Sequence, residues 1–127
     1  MQERHLYEYA IIRVVPKVDR EEFVNAGIIV FSKKAKFIKM LYTIEEKKLR
    51  CFCNELDIEQ LQQNLLAFKN ISEGKKDGGP ISQMDIASRF RWLTAVRSSV
   101  IQTSRPHPGL CENLEKTTEK LFSELVL

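Results

Sequence analysis

LYEYAIIRVVP, residues Leu6 to Pro16, is the stretch on which the fold prediction depends. Aromatic and β-branched residues dominate it, and much of both alternating faces is apolar, which is typical of a strand inside a sheet. Pro16 ends the run because proline cannot donate the N–H that a continuing strand needs. We therefore predict a central strand from Leu6 to Val15.

Two more apolar runs follow this strand and predict antiparallel neighbours for it. Asp19 precedes REEFVN, for which we predict a short helical turn, and Gly27 predicts a backbone reversal before the strand IIVF. Residues 33–35 predict a hairpin connection to a third strand, KFIKMLY. Further on, VRSSVIQTS at residues 96–104 predicts a fourth strand, and the PHPG that follows predicts a rigid turn.

Helical patterns occupy the middle and the end of the chain. The capping spacing of Asp57 and Gln60 predicts the start of a helix. Its buried stripe comprises Ile58, Leu61, Leu65 and Phe68. Ser82 predicts the cap of a helix that buries Ile86, Phe90 and Leu93, and the glycine-rich residues 72–80 before it predict a mobile loop. A closing amphipathic helix is predicted from Leu114, Thr118, Leu121 and Leu125.

This order of elements lacks the strand–helix alternation of a doubly wound parallel sheet. We predict an α+β fold, with a mainly antiparallel sheet of about four strands and helices packed on one face. A chain of 127 residues fits one domain, residues 1–127.

Composition limits the class of protein. Hydrophobic residues make up 43% and charged residues 29% of the chain, which is typical of a soluble globular protein. The N-terminus lacks the pattern of a secretory signal, and no apolar run approaches about 18 residues, so we expect a cytoplasmic protein without a membrane partner. Three cysteines, an odd number, predict reduced thiols rather than a disulfide framework.

Charge is concentrated in RFRWLTAVRSSVIQTSRPHPGL, residues 89–110, which holds four arginines and no lysine, aspartate or glutamate. The formal net charge of the chain is +3, so without these four arginines the chain would carry no net positive charge. Arg89, Arg91 and Arg97, beside Trp92, suggest recognition of an anion or nucleotide, because guanidinium groups match phosphate and stack on rings. The simpler interpretation is that aromatic core residues are flanked by solvated or ion-paired arginines. If the segment is helical, Arg89 and Arg91 lie about 200° apart around its axis and cannot bind one ligand. If the chain is extended from Arg89, both arginines point the same way, while Phe90 and Trp92 point inward.

His107 stands between two prolines and could serve as a held general acid or base. No nucleophile motif or acidic pair accompanies it, so packing or capping is the simpler role. Cys51, Cys53, His107 and Cys111 do not have the usual zinc spacing, and we predict no metal and no cofactor. A glycine-rich phosphate loop, HExxH and GxSxG are also absent.

Four segments carry a resemblance to a known family. They are EYAIIRVVP (8–16), REEFVNAGIIVF (20–31), RFRWLTAVRSSVIQTS (89–104) and HPGL (107–110). In them the chain resembles the bacterial domain of unknown function 3037 family, although Val96 replaces a proline of the family pattern. The motif positions correspond to Arg20, Glu22, Asn25, Gly27, Trp92, Arg97, Gln102, His107 and Gly109. The resemblance implies a small cytoplasmic protein, and the frequent encoding of such proteins next to HipA-like kinases implies an accessory role beside a kinase.

Three functional hypotheses remain open. The first is a binding or accessory module that partners a HipA-like kinase. The second is an enzyme that handles phosphate or nucleotides, and the third is a nucleic-acid binder, both using the Arg89–Gly109 segment. The candidate binding residues are Arg89, Arg91, Trp92, Arg97, Gln102, His107, Glu22 and Asn25. The motif positions lie toward both ends of the chain, which suggests that the two ends meet in space and that Arg97 and His107 face the turn at residues 22–25.

Overall fold

The computed structural model describes residues 4–16, 22–53, 55–95 and 99–127. Its strands are β1 (His5–Val14), β2 (Val24–Ser32), β3 (Phe37–Tyr42), β4 (Ile101–Thr103) and β5 (His107–Cys111). Its α-helices are α1 (Glu46–Phe52), α2 (Ile58–Glu73), α3 (Ile86–Leu93) and α4 (Leu114–Leu125), and two 3-10 helices span Lys76–Gly78 and Pro80–Gln83. In the described ranges, no helix has the length and apolar character needed to cross a membrane.

All strand pairings are antiparallel, so the predicted α+β class and mainly antiparallel sheet are confirmed. The order is β3-β2-β1-β4, and β5 also pairs with β1. The two short strands share one edge of β1, since β4 pairs with its end at residues 12–14 and β5 with its start at residues 5–9. The central position predicted for the first strand is therefore correct.

Helices cover the two faces of the sheet unequally. Three of them, α1 to α3, pack on the face that carries Ala10, Ile12 and Val14, and the predicted stripe of α2 is buried there. The last helix, α4, contacts β2 and β3 through a separate cluster around Ile28 and Val30, which point to the opposite face. The prediction of helices on one face thus holds for three helices, while α4 lies on the other.

A β-bulge in β2 replaces the reversal predicted at Gly27. Ile12 pairs with Gly27 but Arg13 pairs with Asn25, so Ala26 is an extra residue in β2. Gly27 is required because a β carbon there would lie 2.7 Å from the carbonyl oxygen of Leu41 on β3. The helix predicted over residues 20–25 is wrong at its end, since Val24 already belongs to β2, and residues 20 and 21 lie outside the described chain.

Helix starts were predicted with mixed success. The side chain of Asp57 accepts a hydrogen bond from the Gln60 N–H, which confirms the start of α2. The cap of α3 is Asp85 rather than Ser82. Ser82 belongs instead to a 3-10 helix and donates its hydroxyl to the Lys75 and Gly79 carbonyls, so the predicted loop contains hydrogen-bonded turns.

The predicted PHPG turn is a strand. His107 to Cys111 form β5 at the sheet edge, where a proline is tolerated because one side of the strand pairs with no other strand in residues 4–16, 22–53, 55–95 and 99–127. The fourth strand is shorter than predicted and spans Ile101–Thr103. Between β4 and β5, buried Ser104 continues the ladder: its N–H donates to the Ile11 carbonyl, and its hydroxyl accepts from the Ile11 N–H at 2.8 Å.

Candidate functional site

The face of the sheet that carries α4 is incompletely covered. Its hydrophobic cluster has three buried residues and nine partly buried ones, whereas the cluster under α1 to α3 has 17 buried and eight partly buried, counted over the described residues. Because the main contacts of α4 are with β2 and β3, the side chains that β1, β4 and β5 place on this face remain partly accessible, and His107 among them is exposed. An accessible half-face of a sheet is a feature that a binding partner can cover.

Three polar side chains form a row across this accessible face. Arg13 of β1 is paired with Asn25 of β2 on one side and with Gln102 of β4 on the other. The bulge in β2 brings Asn25 onto this face, where its amide donates to the Leu125 carbonyl at the end of α4, at 3.0 Å. Gln102 donates to the Ser99 carbonyl at 2.9 Å.

Two atoms in this row are buried without a hydrogen-bond partner in the described part of the chain, namely Nε of Arg13 and Oδ1 of Asn25. The Arg13 guanidinium lies 4.3 Å from the ring centroid of Phe23, which is 46% exposed. Buried polar atoms of native proteins nearly always have partners, so an unmatched donor and an unmatched acceptor on two paired residues indicate room for an ordered water or a small rearrangement of the side chains.

Aromatic side chains continue the same face toward β5. The exposed ring of His107 lies 5.2 Å from the Tyr9 ring of the paired residue on β1, and the Tyr7 ring lies 6.3 Å from that of Tyr9. Burial raises the pKa of the Tyr7 phenol, and the nearby Cys111 and Tyr9 raise it further. Tyr7 is therefore a neutral hydrogen-bond donor at physiological pH.

We call this accessible face the open strip. It is defined by Tyr7, Tyr9, Arg13, Asn25, Gln102 and His107. Three of its members, Asn25, Gln102 and His107, were candidates from the sequence. The strip offers aromatic faces, one guanidinium and two amides, which suit binding through stacking and hydrogen bonds.

The other candidates lie elsewhere. Arg89 is buried on α3 and lines a cavity beside β3. β3 forms one edge of the sheet, and β5 lies at the opposite edge. Arg91 points to solvent, as the helical alternative required, because α3 is helical through both residues. Trp92 is 38% exposed, and its ring lies 6.1 Å from that of Phe68, so it is not a core residue.

Convergence of these candidates on one ligand is therefore not found among the described residues. Glu22 is half-buried just before β2, and Arg97 lies outside the described chain. Arg89 and His107 are separated by the width of the sheet, because β3 and β5 occupy opposite edges. In the described ranges, no group of three or more His, Cys, Asp or Glu residues could hold a metal ion.

Sequence reasoning missed Arg13, Phe23 and the two tyrosines of the open strip. The apolar run LYEYAIIRVV was interpreted as apolar on much of both faces. Arg13, however, follows Tyr9 and Ile11 at steps of two, so these three side chains lie on one face of the strand, and that face carries a charge. That period-two recurrence of Tyr7, Tyr9 and Arg13 was the available signal.

Comparisons with known proteins agree with the resemblance in the sequence. The model of a family described as "Protein of unknown function (DUF3037)" matches residues 9–126. No curated protein and no solved structure matches the chain.

Proposed function

Since the chain belongs to the DUF3037 family, we propose its role from its own geometry: it is a binding or accessory module that holds a protein partner on the open strip. The partner we propose is a HipA-like kinase, because the resemblance implies a gene neighbourhood with such kinases. The module supplies recognition, and the kinase supplies chemistry.

The observation that carries this proposal is the incomplete burial of the hydrophobic cluster beneath α4. Two of its nine partly buried members in the described chain, Tyr7 and Tyr9, belong to the strip, so part of each ring remains in contact with water there. Covering the rings would contribute about 25 cal/mol for each Å² of apolar surface removed from water. Apolar surface rimmed by polar groups is typical of a site for a protein partner.

The residue types of the strip support a protein partner. Tyrosine and arginine are enriched in the cores of protein interfaces, and they account for many of the residues that dominate binding energy. Tyr7, Tyr9 and Arg13 are half-buried, so their side chains are already partly ordered before a partner arrives. A single arginine without a lysine beside it is a poor match for the many phosphates of a nucleic acid.

The accessible groups of the strip define what the partner must offer. The charge of the half-buried Arg13 favours an acceptor such as a carboxylate, and the exposed His107 ring offers a face for stacking. The proposed interface is thus centred on Arg13 with Tyr9 and His107 at its side.

Co-purification with a HipA-like kinase, followed by calorimetric titration, tests the proposal. We expect a complex with a Kd of about 1 µM or tighter, and we expect Arg13→Met and His107→Ala each to weaken it about tenfold or more. Leu66→Ser is the matched control, because Leu66 is 50% exposed on α2, away from the strip.

Thermal melts of each variant separate lost binding from lost folding. The proposal fails if no complex forms at micromolar concentrations, or if the strip variants bind as tightly as Leu66→Ser. Binding to single-stranded or duplex nucleic acid that falls steeply with salt would replace it with the nucleic-acid hypothesis.

A further inference from the structure

Arg89 is a buried cation without a counterion in the described chain. Only 9% of its surface is accessible, its Nε has no hydrogen-bond partner, and none of the ion pairs of the described residues includes it. Its one hydrogen bond to a described residue runs from Nη1 to the Ser82 carbonyl at a long 3.4 Å. Burial of an unpaired charge is costly, and buried charges in folded proteins are normally paired, so Arg89 has the capacity to accept an anion as its counterion.

Arg89 lines a cavity of about 530 Å³ at the edge of the sheet formed by β3, and this volume lies within the size range of small-molecule sites. We call it the β3-edge cavity. Its charged lining residues are Lys36, Lys39, Lys69, Arg89, Glu73 and Glu115. Four cations against two carboxylates make the cavity electropositive.

Both carboxylates are already paired. Glu115 contacts the Lys39 ammonium at 2.6 Å, and Glu73 contacts Lys75 at 3.7 Å. This leaves Lys36, Lys69 and Arg89 to act on a ligand, because they form no ion pair with a carboxylate of the described chain. Lys69 lies 5.8 Å from the Tyr42 ring, a contact that places its ammonium without neutralising it.

A purely structural role explains Arg89 only in part. The guanidinium abuts Gly74, the left-handed residue that ends α2, where a cation complements the helix dipole. That contact and the Ser82 carbonyl use Nη1, but they leave Nε without an acceptor and do not explain the two unpaired lysines at the same cavity.

We propose that the β3-edge cavity binds phosphate or the phosphate group of a small metabolite, with Arg89 as the main contact and Lys36 and Lys69 as supporting charges. A phosphate monoester carries about −1.5 to −2 charges at pH 7, which suits three unpaired cations better than a single carboxylate does. The planar guanidinium matches phosphate oxygens with two parallel hydrogen bonds. This site is independent of the open strip, which lies across the sheet.

Titration of the wild-type chain with inorganic phosphate, followed by backbone amide NMR, tests the site. We expect saturable shifts at residues 36–39, 69–74 and 86–89, and few at β5. Phenyl phosphate is expected to shift the same amides, and acetate is expected to bind at least about tenfold more weakly.

Arg89→Met should weaken phosphate binding about tenfold or more, because it removes a charge-assisted contact and keeps the apolar stem. Arg91→Met is the matched control, since it removes the same charge from the solvent-facing side of α3, and it should change the affinity less than about twofold. Lys69→Met provides a second variant on α2 if the first alters folding.

The proposal is overturned if phosphate shifts are absent or do not saturate, or if they centre on other residues. It is also overturned if Arg89→Met binds phosphate as tightly as its control Arg91→Met. The same holds if Lys69→Met binds phosphate as tightly as the wild type. Kinase binding is tested at the open strip and phosphate binding at the β3-edge cavity, so a negative result for one proposal does not contradict the other.

Discussion

The Tyr7 ring lies against the backbone of Gly109 on the neighbouring strand, so that a β carbon on Gly109 would lie 2.5 Å from Cζ of Tyr7. This contact fixes the tyrosine at the end of the open strip. It also explains why a residue without a side chain is needed within β5.

Gly109→Ala should lower the free energy of unfolding by about 1–3 kcal/mol, because the new methyl group forces the Tyr7 ring or β5 to move. Chemical denaturation measures the change. In a Tyr7→Leu background the smaller side chain leaves room, and the cost of Gly109→Ala should fall by more than half. An equal cost in both backgrounds would show that the two residues are not coupled.

Ser104→Ala should cost about 1–3 kcal/mol, since it removes the hydroxyl that accepts the Ile11 N–H in a buried position. Ser99→Ala is the control. The Ser99 hydroxyl also donates a hydrogen bond to backbone, at the Ile101 carbonyl. Because Ser99 is exposed, water can replace its hydroxyl, and the free energy of unfolding should fall by less than about 0.5 kcal/mol. Similar losses for both variants would contradict the role given to Ser104.

Trp92→Ala should cost about 1–2 kcal/mol, less than a core tryptophan, because 38% of the residue is already in water. The neighbouring Leu93→Ala should cost about 2–5 kcal/mol, because Leu93 is 1% exposed. Urea unfolding of the two variants gives the comparison. A larger loss for Trp92 than for Leu93 would mean that the indole is more deeply packed than its exposure indicates.

Acid should weaken the start of α3. The side chain of Asp85 caps this helix, and its hydrogen bonds with Ser88 lower the pKa of the carboxyl below its ordinary value of 3.8. A lowered pKa means that the stabilisation is complete above the unfolded-state pKa and is lost as the pH falls through the folded-state value.

The measurement is the melting temperature of wild type and Asp85→Asn between pH 7 and pH 2. Asparagine also caps helices, as Asn113 does at the start of α4, but its side chain does not titrate. The melting temperature of the wild type should therefore exceed that of Asp85→Asn by less below about pH 4 than at pH 7. A constant difference over this range would exclude the titration of Asp85 as its cause.

Much of the fold could be predicted from local patterns. The apolar run of β1 and the stripe of α2 repeat with the periods of a strand and a helix, and both elements form close to their predicted bounds. β5 could not be predicted, because Pro106 and Pro108 favour a turn locally and only the position at the sheet edge allows a strand there.

The candidate sites were harder to predict, because their geometry depends on contacts between distant elements. Asn25 and Gln102 were named from the motif, but their shared neighbour Arg13 became visible only with the strand register and the bulge. The sequence made Arg89 a candidate in the same segment as His107, and the structure places Arg89 on α3 beside the β3 edge and His107 on β5. Lys36 and Lys69, the proposed partners of Arg89, come from segments that carry no motif.

Because one edge of β1 is shared by β4 and β5, the two halves of that edge can open separately. Detachment of β5 breaks its pairing with residues 5–9, while Ser104 and β4 keep residues 11–14 in place. Hydrogen exchange should therefore divide β1 into a faster N-terminal half and a slower C-terminal half. An incoming strand would have to displace only five residues to join the sheet beside Tyr7 and Tyr9.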